Sequence, residues 1–293
     1  MRFDKTFIAI RDRSILEIFD LSLLVVADHF KALFWLLVIG AAPWVAFDFW
    51  LVGWMTDVQE VIYLYYWTML LLIVSQAQIG TAFMTHYLGQ AMFVGRPGIW
   101  TTVRDVLKTN IYFWWSHGAL RLVVPIALAC LLMDQNDLEV SAFVGVLLMS
   151  GLTIIGLLVR AFRPFVSEIL LLERTPISSK GSEQICFQRR SQSLHASGGS
   201  DLFGRFIISA IIAVPLGFAI FSLFVTADSI LNIRTNSEAS VFPYYWIAAL
   251  WMVSGFICVA RFLSYIDTRI RQEGWAVELR MRAEGQLLVD AIE

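Results

Sequence analysis

The sequence predicts an all-α fold: a polytopic helical membrane bundle of about six transmembrane helices, with amphipathic helices at both cytoplasmic ends. Three observations predict it. Of 293 residues, 58% are hydrophobic and only 16% are charged, where a soluble domain carries about 25% charged residues. Six stretches reach the roughly 20 mostly apolar residues that a helix needs to cross hydrocarbon. Lys and Arg gather in alternate connections between those stretches, which is the positive-inside pattern.

The opening, MRFDKTFIAIRDRSILEIFD, lacks the apolar core of a signal peptide and reads as a retained amphipathic cytoplasmic segment over 1–31. Its apolar residues include Phe7, Ile8, Ile10, Ile15, Leu16, Ile18 and Phe19. A six-helix domain follows over 32–266. The first span runs from Ala32 to Val52 and the second from Val61 to about Met84, with helical pattern beyond. The third is Tyr112 to Met133, the fourth Val140 to Val159, the fifth Phe206 to Val225 and the sixth Val241 to Leu263. Pro43, Pro125 and Pro215 fall inside the odd-numbered spans and predict kinks, because proline cannot donate an intrahelical hydrogen bond. Trp and Tyr residues from Trp44 to Trp67 mark an outer aromatic belt, and Trp100, Trp114 and Trp115 an inner one.

Connections one and three hold no Lys or Arg, and connection five holds only Arg234. The N-terminal segment, connection two, the long connection over 160–205 and the tail hold nearly all the rest. Both termini are therefore expected in the cytoplasm of a cell membrane. Within the long connection, Phe165 to Leu172 is expected to prolong the fourth helix along the membrane surface. The segment EQICFQRR reads as a short strand, and Ser200 or Asp201 as a cap for a helix from about Leu202. Small residues at four-residue intervals, Ala77, Thr81, Thr85 and Gly89, then Ser209, Ala213 and Gly217, then Ser141 and Gly145, are candidate packing seams.

Charge inside a span is expensive. Arg121 stands near mid-depth of the third span, where insertion scales charge at least ~2.5 kcal/mol. Asp48 on the first span is its candidate partner at an axial offset of roughly 9 Å, given ~1.5 Å per residue. His117 lies one turn from Arg121, and Gln76 and Gln78 on the second span complete an intramembrane polar cluster. That cluster serves either as a clamp that fixes helix register or as part of a transport path. Arg160, Arg163, Arg174, Arg189 and Arg190 form a basic layer suited to anionic headgroups, to a solvated ionic network or to topology alone.

No Walker A, G-x-S-x-G, G-x-G-x-x-G or H-E-x-x-H motif occurs, and the four histidines have no metal-ligand spacing. No catalytic residue, metal or cofactor is therefore assigned. Glu168, Glu173 and His195 are expected to meet the Arg189–Arg190 pair in a cap beneath the membrane, and are the set that would revive an enzyme if they met around a metal or phosphate. Cys130, Cys186 and Cys258 are widely separated and make no disulfide framework. A net charge of −2 gives no attraction for nucleic acid.

From residue 267 to 293 the pattern continues as an amphipathic cytoplasmic helix. Its seam is Ile266, Ile270, Val277, Met281, Leu288 and Ile292, and Asp267–Arg271 and Arg269–Glu273 are opposite charges four apart. The seam needs cover from the N-terminal segment, the membrane surface or another membrane or cytoplasmic protein. Here Tyr265, Asp267, Arg269, Arg271, Glu273 and Gly274 spell Tyr-x-Asp-x-Arg-x-Arg-x-Glu-Gly. That stretch resembles the last helix of uncharacterised bacterial multi-pass proteins and of the membrane domain associated with glycerophosphodiester phosphodiesterases. Ala276 departs from the acid common there. The resemblance implies a bacterial helical membrane domain and no phosphodiesterase activity. The function expected is a non-enzymatic scaffold or accessory subunit whose basic cytoplasmic face binds partners or anionic lipid. The alternative is a small transporter using Arg121, Asp48 and His117.

Overall fold

The computed structural model describes residues 14–56, 62–93, 95, 97–108, 111–118, 123–132, 138–173, 186–196, 199–231 and 241–272. Helix α1, Ile15–Asp28, starts where Ser14 and Glu17 close a capping box, each accepting from the other's backbone N–H at 3.3 and 3.0 Å. At His29 it hands over to α2, Phe30–Val52. Then come α3, Ile62–Gly80, and α4, Ala82–Phe93. Shorter helices follow: α5, Ile99–Leu107; α6, Ile111–Gly118; and α7, Val123–Leu131. Helix α8 is Leu138–Phe162, and α9, Val166–Glu168, runs into a π turn over Ile169–Glu173. Helix α10 is Phe187–Ala196, α11 is Gly199–Leu231 and α12 is Phe242–Gln272. Among the described residues there is no strand.

Among the described residues, five helical segments are long and apolar enough to cross a membrane: Phe30–Thr56, Ile62–Met92, Phe143–Phe162, Gly199–Leu231 and Phe242–Gln272. Burial sorts them. The α3–α4 segment is 83% buried and the α11 segment only 6%, so the first is the axis of the bundle and the second its rim. An apolar rim is stable only where the surroundings are apolar too, because lipid tails give no penalty for exposed Ile211, Val214, Phe218 and Leu223.

Close approach is set by glycines. A Cβ on Gly40 would lie 1.9 Å from the carbonyl oxygen of Gly80, and one on Gly80 would meet the ring of Trp251 at 2.4 Å. So α2 and α3 touch nearly backbone to backbone, and α12 lays the Trp251 ring on α3 at the same level. The predicted Ala77–Thr81–Thr85–Gly89 seam runs beside it: Thr81 and Thr85 are buried, and Thr85 Oγ1 lies 3.3 Å from Cys258 Sγ on α12.

Several local expectations are revised. The third predicted span is described only in part, as α6 and α7, and 119–122 between them lie outside the described residues. EQICFQRR holds the start of a helix rather than a strand: α10 begins at Phe187 and turns Ser191, Leu194 and His195 inward. The fifth long helix begins at Gly199, and Asp201 pairs with Arg205 at 2.9 Å instead of capping. Phe165 to Leu171 is buried and does not lie along a surface. Tyr65, expected in the outer belt, has no exposed surface, because α3 is the axis.

Candidate functional site: a buried ionic clamp and a lateral cavity

The predicted intramembrane cluster resolves into separate pairs. Asp48 is 1% exposed, and its Oδ1 accepts a 2.7 Å bond from Gln76 Nε2, while Oδ2 has no partner. Arg121 lies outside the described residues. His117 is also buried, yet its Nε2 lies 2.9 Å from Ser167 Oγ, which ties α6 to α9. Gln78 is buried on α3 and lines the cavity described below. Asp48 and His117 thus serve different contacts.

The denser charge lies at the far end of α12, and the motif Tyr265–Arg271 organises it. Residues two apart on a helix point to nearly opposite sides. Tyr265 and Arg269 therefore face one neighbour, and Asp267 and Arg271 another. On the first side, Glu173 accepts from Tyr265 Oη at 2.6 Å and from the Arg190 fork at 2.6 and 2.8 Å, with Arg269 Nη1 at 3.7 Å. On the second, Asp267 Oδ2 accepts from Arg205 Nη2 at 3.0 Å and Arg271 Nη2 at 3.1 Å. Arg205 also donates to Ser264 Oγ at 3.0 Å, and Gln272 Nε2 to the Leu194 carbonyl at 2.9 Å. One turn further in, Arg261 Nε donates to Glu168 Oε1 at 2.6 Å; Glu168 has no exposed surface and its Oε2 has no partner. Phe165 fills the centre, its ring 5.7 Å from those of His195 and Tyr265. The result is a clamp that bolts the π turn, α10 and α11 to α12.

Glu168, Glu173 and His195 are thereby divided. Each carboxylate is held by arginine, and His195 Nδ1 lies 2.6 Å from its own helix's Ser191 carbonyl. Among the described residues, no group of His, Cys, Asp and Glu is gathered for a metal ion. Of the five predicted basic-layer residues, Arg163 and Arg189 are exposed, Arg190 is bound to Glu173, and Arg174 lies outside the described residues. Arg160 is 6% exposed. Its guanidinium donates to the carbonyls of Val74 and Ser75 on α3 and keeps Nε without a partner.

Arg160 lines a half-open cavity of about 720 Å³ bounded by α1, α3, α8, α11 and α12. Its wall is almost wholly apolar. Tyr63 and Trp246 stand at one end, and Arg160, Arg205, Arg261 and Ser264 at the other. From Tyr63 to Thr81, both on the wall, is roughly 27 Å at ~1.5 Å per residue. The Ser209–Ala213–Gly217 stripe of α11 faces this space, so the expected seam borders a groove instead of a tight helix contact.

Of the expected meeting between Glu168, Glu173, His195 and the Arg189–Arg190 pair, the structure makes Glu173–Arg190, while Glu168 binds Arg261 instead. Glu168 and Arg261 are 93 positions apart, and no local pattern joins them. Asp267–Arg271, four apart, is joined as expected. Comparison with protein-family models, curated proteins and solved structures returns no match.

Proposed function

We propose that the chain is a non-enzymatic integral membrane scaffold or accessory subunit of six spans, with both termini and the ionic clamp at the cytoplasmic face. There it meets anionic lipid or a partner protein. One observation carries this reading: the charged side chains of the clamp are spent on one another, holding α9, α10, α11 and α12 in a single arrangement. Buried ion pairs held by hydrogen bonds fix geometry, which is what a docking platform needs. The paired positive and negative groups leave Arg163 and Arg189 exposed on its surface. The resemblance of Tyr265–Gly274 to bacterial multi-pass proteins is consistent with a cell-membrane location, and the motif's first four named residues supply the clamp.

Affinity purification from native membranes in mild detergent tests this. The expected result is a partner at fixed stoichiometry, lost when Arg163 and Arg189 are both changed to Glu. Solute flux by the protein alone in proteoliposomes would overturn it and favour the transporter that draws on Arg121, Asp48 and His117.

A further inference from the structure

We infer that the lateral cavity holds one anionic glycerophospholipid, its phosphate among Arg160, Arg205 and Arg261 and its acyl chains along the apolar wall toward Tyr63 and Trp246. The inference rests on the membrane reading above and names the ligand of its basic end. Charge carries it. Arg205 is bonded by Asp201 and Asp267, and Arg261 by Glu168. Among the described residues Arg160 donates only to carbonyl oxygens, and it lines the same cavity as Arg261. One positive charge is left over at a site 94% removed from solvent, with an N–H that bonds to nothing. An isolated buried cation is costly in an apolar medium. A phosphate at the mouth supplies both the missing charge and an acceptor for the Nε–H.

Shape agrees with charge. The volume falls within the ~300–1,000 Å³ of sites that take a single small ligand. From the Val74 and Ser75 carbonyls that hold Arg160 to Tyr63 is roughly 17 Å at ~1.5 Å per residue, about one leaflet of the ~30 Å hydrocarbon layer. Small side chains, Ser209, Ala213 and Gly217, keep the α11 wall smooth, and Gly217 leaves ordinary contact distance to Val253. A soluble anion would leave the long apolar part unfilled; an amphiphile fills both parts.

The test is native mass spectrometry of the full chain released from vesicles of phosphatidylglycerol and phosphatidylethanolamine. One phosphatidylglycerol is expected to stay bound through detergent exchange. Arg160→Gln should lower its retention by about tenfold to a hundredfold, the range for losing one charge-assisted bond. Because Arg160 also braces α3, Ala213→Phe serves as a second variant: it fills the groove without touching an arginine and should abolish retention at an unchanged melting temperature. Equal retention of the two lipids, or retention unaffected by Ala213→Phe, overturns the inference. So does a photo-crosslinker at Phe218 that captures a polypeptide helix instead of lipid. Lipid retained with the purification partner absent sinks the scaffold reading alone; the partner retained with lipid absent sinks the cavity reading alone.

Discussion

Breaking the Glu168–Arg261 pair is the most demanding test of the clamp. Glu168 has no exposed surface, and among the described residues its only bond from another side chain is the 2.6 Å contact from Arg261 Nε. Arg261 is slightly open, with 13% of its side chain exposed. Arg261→Gln leaves a carboxylate stranded with Oε2 already unbonded. Removing one partner of a buried pair costs about 3–5 kcal/mol, and Arg261→Gln belongs at the upper end. Glu168→Gln strands a cation that can still turn toward the cavity, so it belongs at the lower end. Even that is a loss of about a hundredfold in the folded-to-unfolded ratio. The assay is reversible unfolding in lipid bicelles for both single variants and the double variant. The double variant should cost less than the sum of the two, with a coupling energy of about 1–3 kcal/mol. Singles below about 1 kcal/mol, or strict additivity, would refute the clamp.

Other outcomes follow from single contacts. Gly40→Ala should lower the melting temperature and cost about 1–3 kcal/mol of overpacking, because its Cβ meets the Gly80 backbone. Gly89→Ala should be milder, since its Cβ meets only the flexible end of Leu172. Asp48→Leu should cost about 1–3 kcal/mol in the same unfolding assay by orphaning the Gln76 amide, whereas Asp48→Asn keeps an acceptor and should be nearly neutral. Arg190→Ala removes the fork on Glu173 and should speed amide exchange across α10 by about tenfold, with α3 unchanged.

Much of the architecture was legible because lipid imposes a simple rule. Long apolar runs marked the five segments found as helices long and apolar enough to cross a membrane, and that signal is local. The contacts that fix the bundle are not local. Gly80 lies off the predicted Ala77–Gly89 seam, yet it is where the α2 backbone at Gly40 and the Trp251 ring of α12 both close on α3. The α10 segment misled because it was read only to Arg190; the residues that set its helical period, Ser191, Leu194 and His195, come after. The basic layer was visible, but Glu168 and Glu173 stand at the two ends of the π turn and find their partners, Arg261 and Arg190, on helices distant in sequence. The tail motif was noticed as a resemblance. Its physical content, two faces gripping two neighbours, needed the packing of α12 to appear.

The central claim is that this clamp faces the cytoplasm, held there by spans threaded through the bilayer. Cys186 tests it directly. It stands immediately before α10 and is partly exposed, while Cys130 and Cys258 are buried. A variant with Cys130 and Cys258 changed to Ala is treated with a membrane-impermeant maleimide, first in sealed cells and then after permeabilisation. Protection followed by labelling is the predicted result; rapid labelling of Cys186 in sealed cells would contradict it.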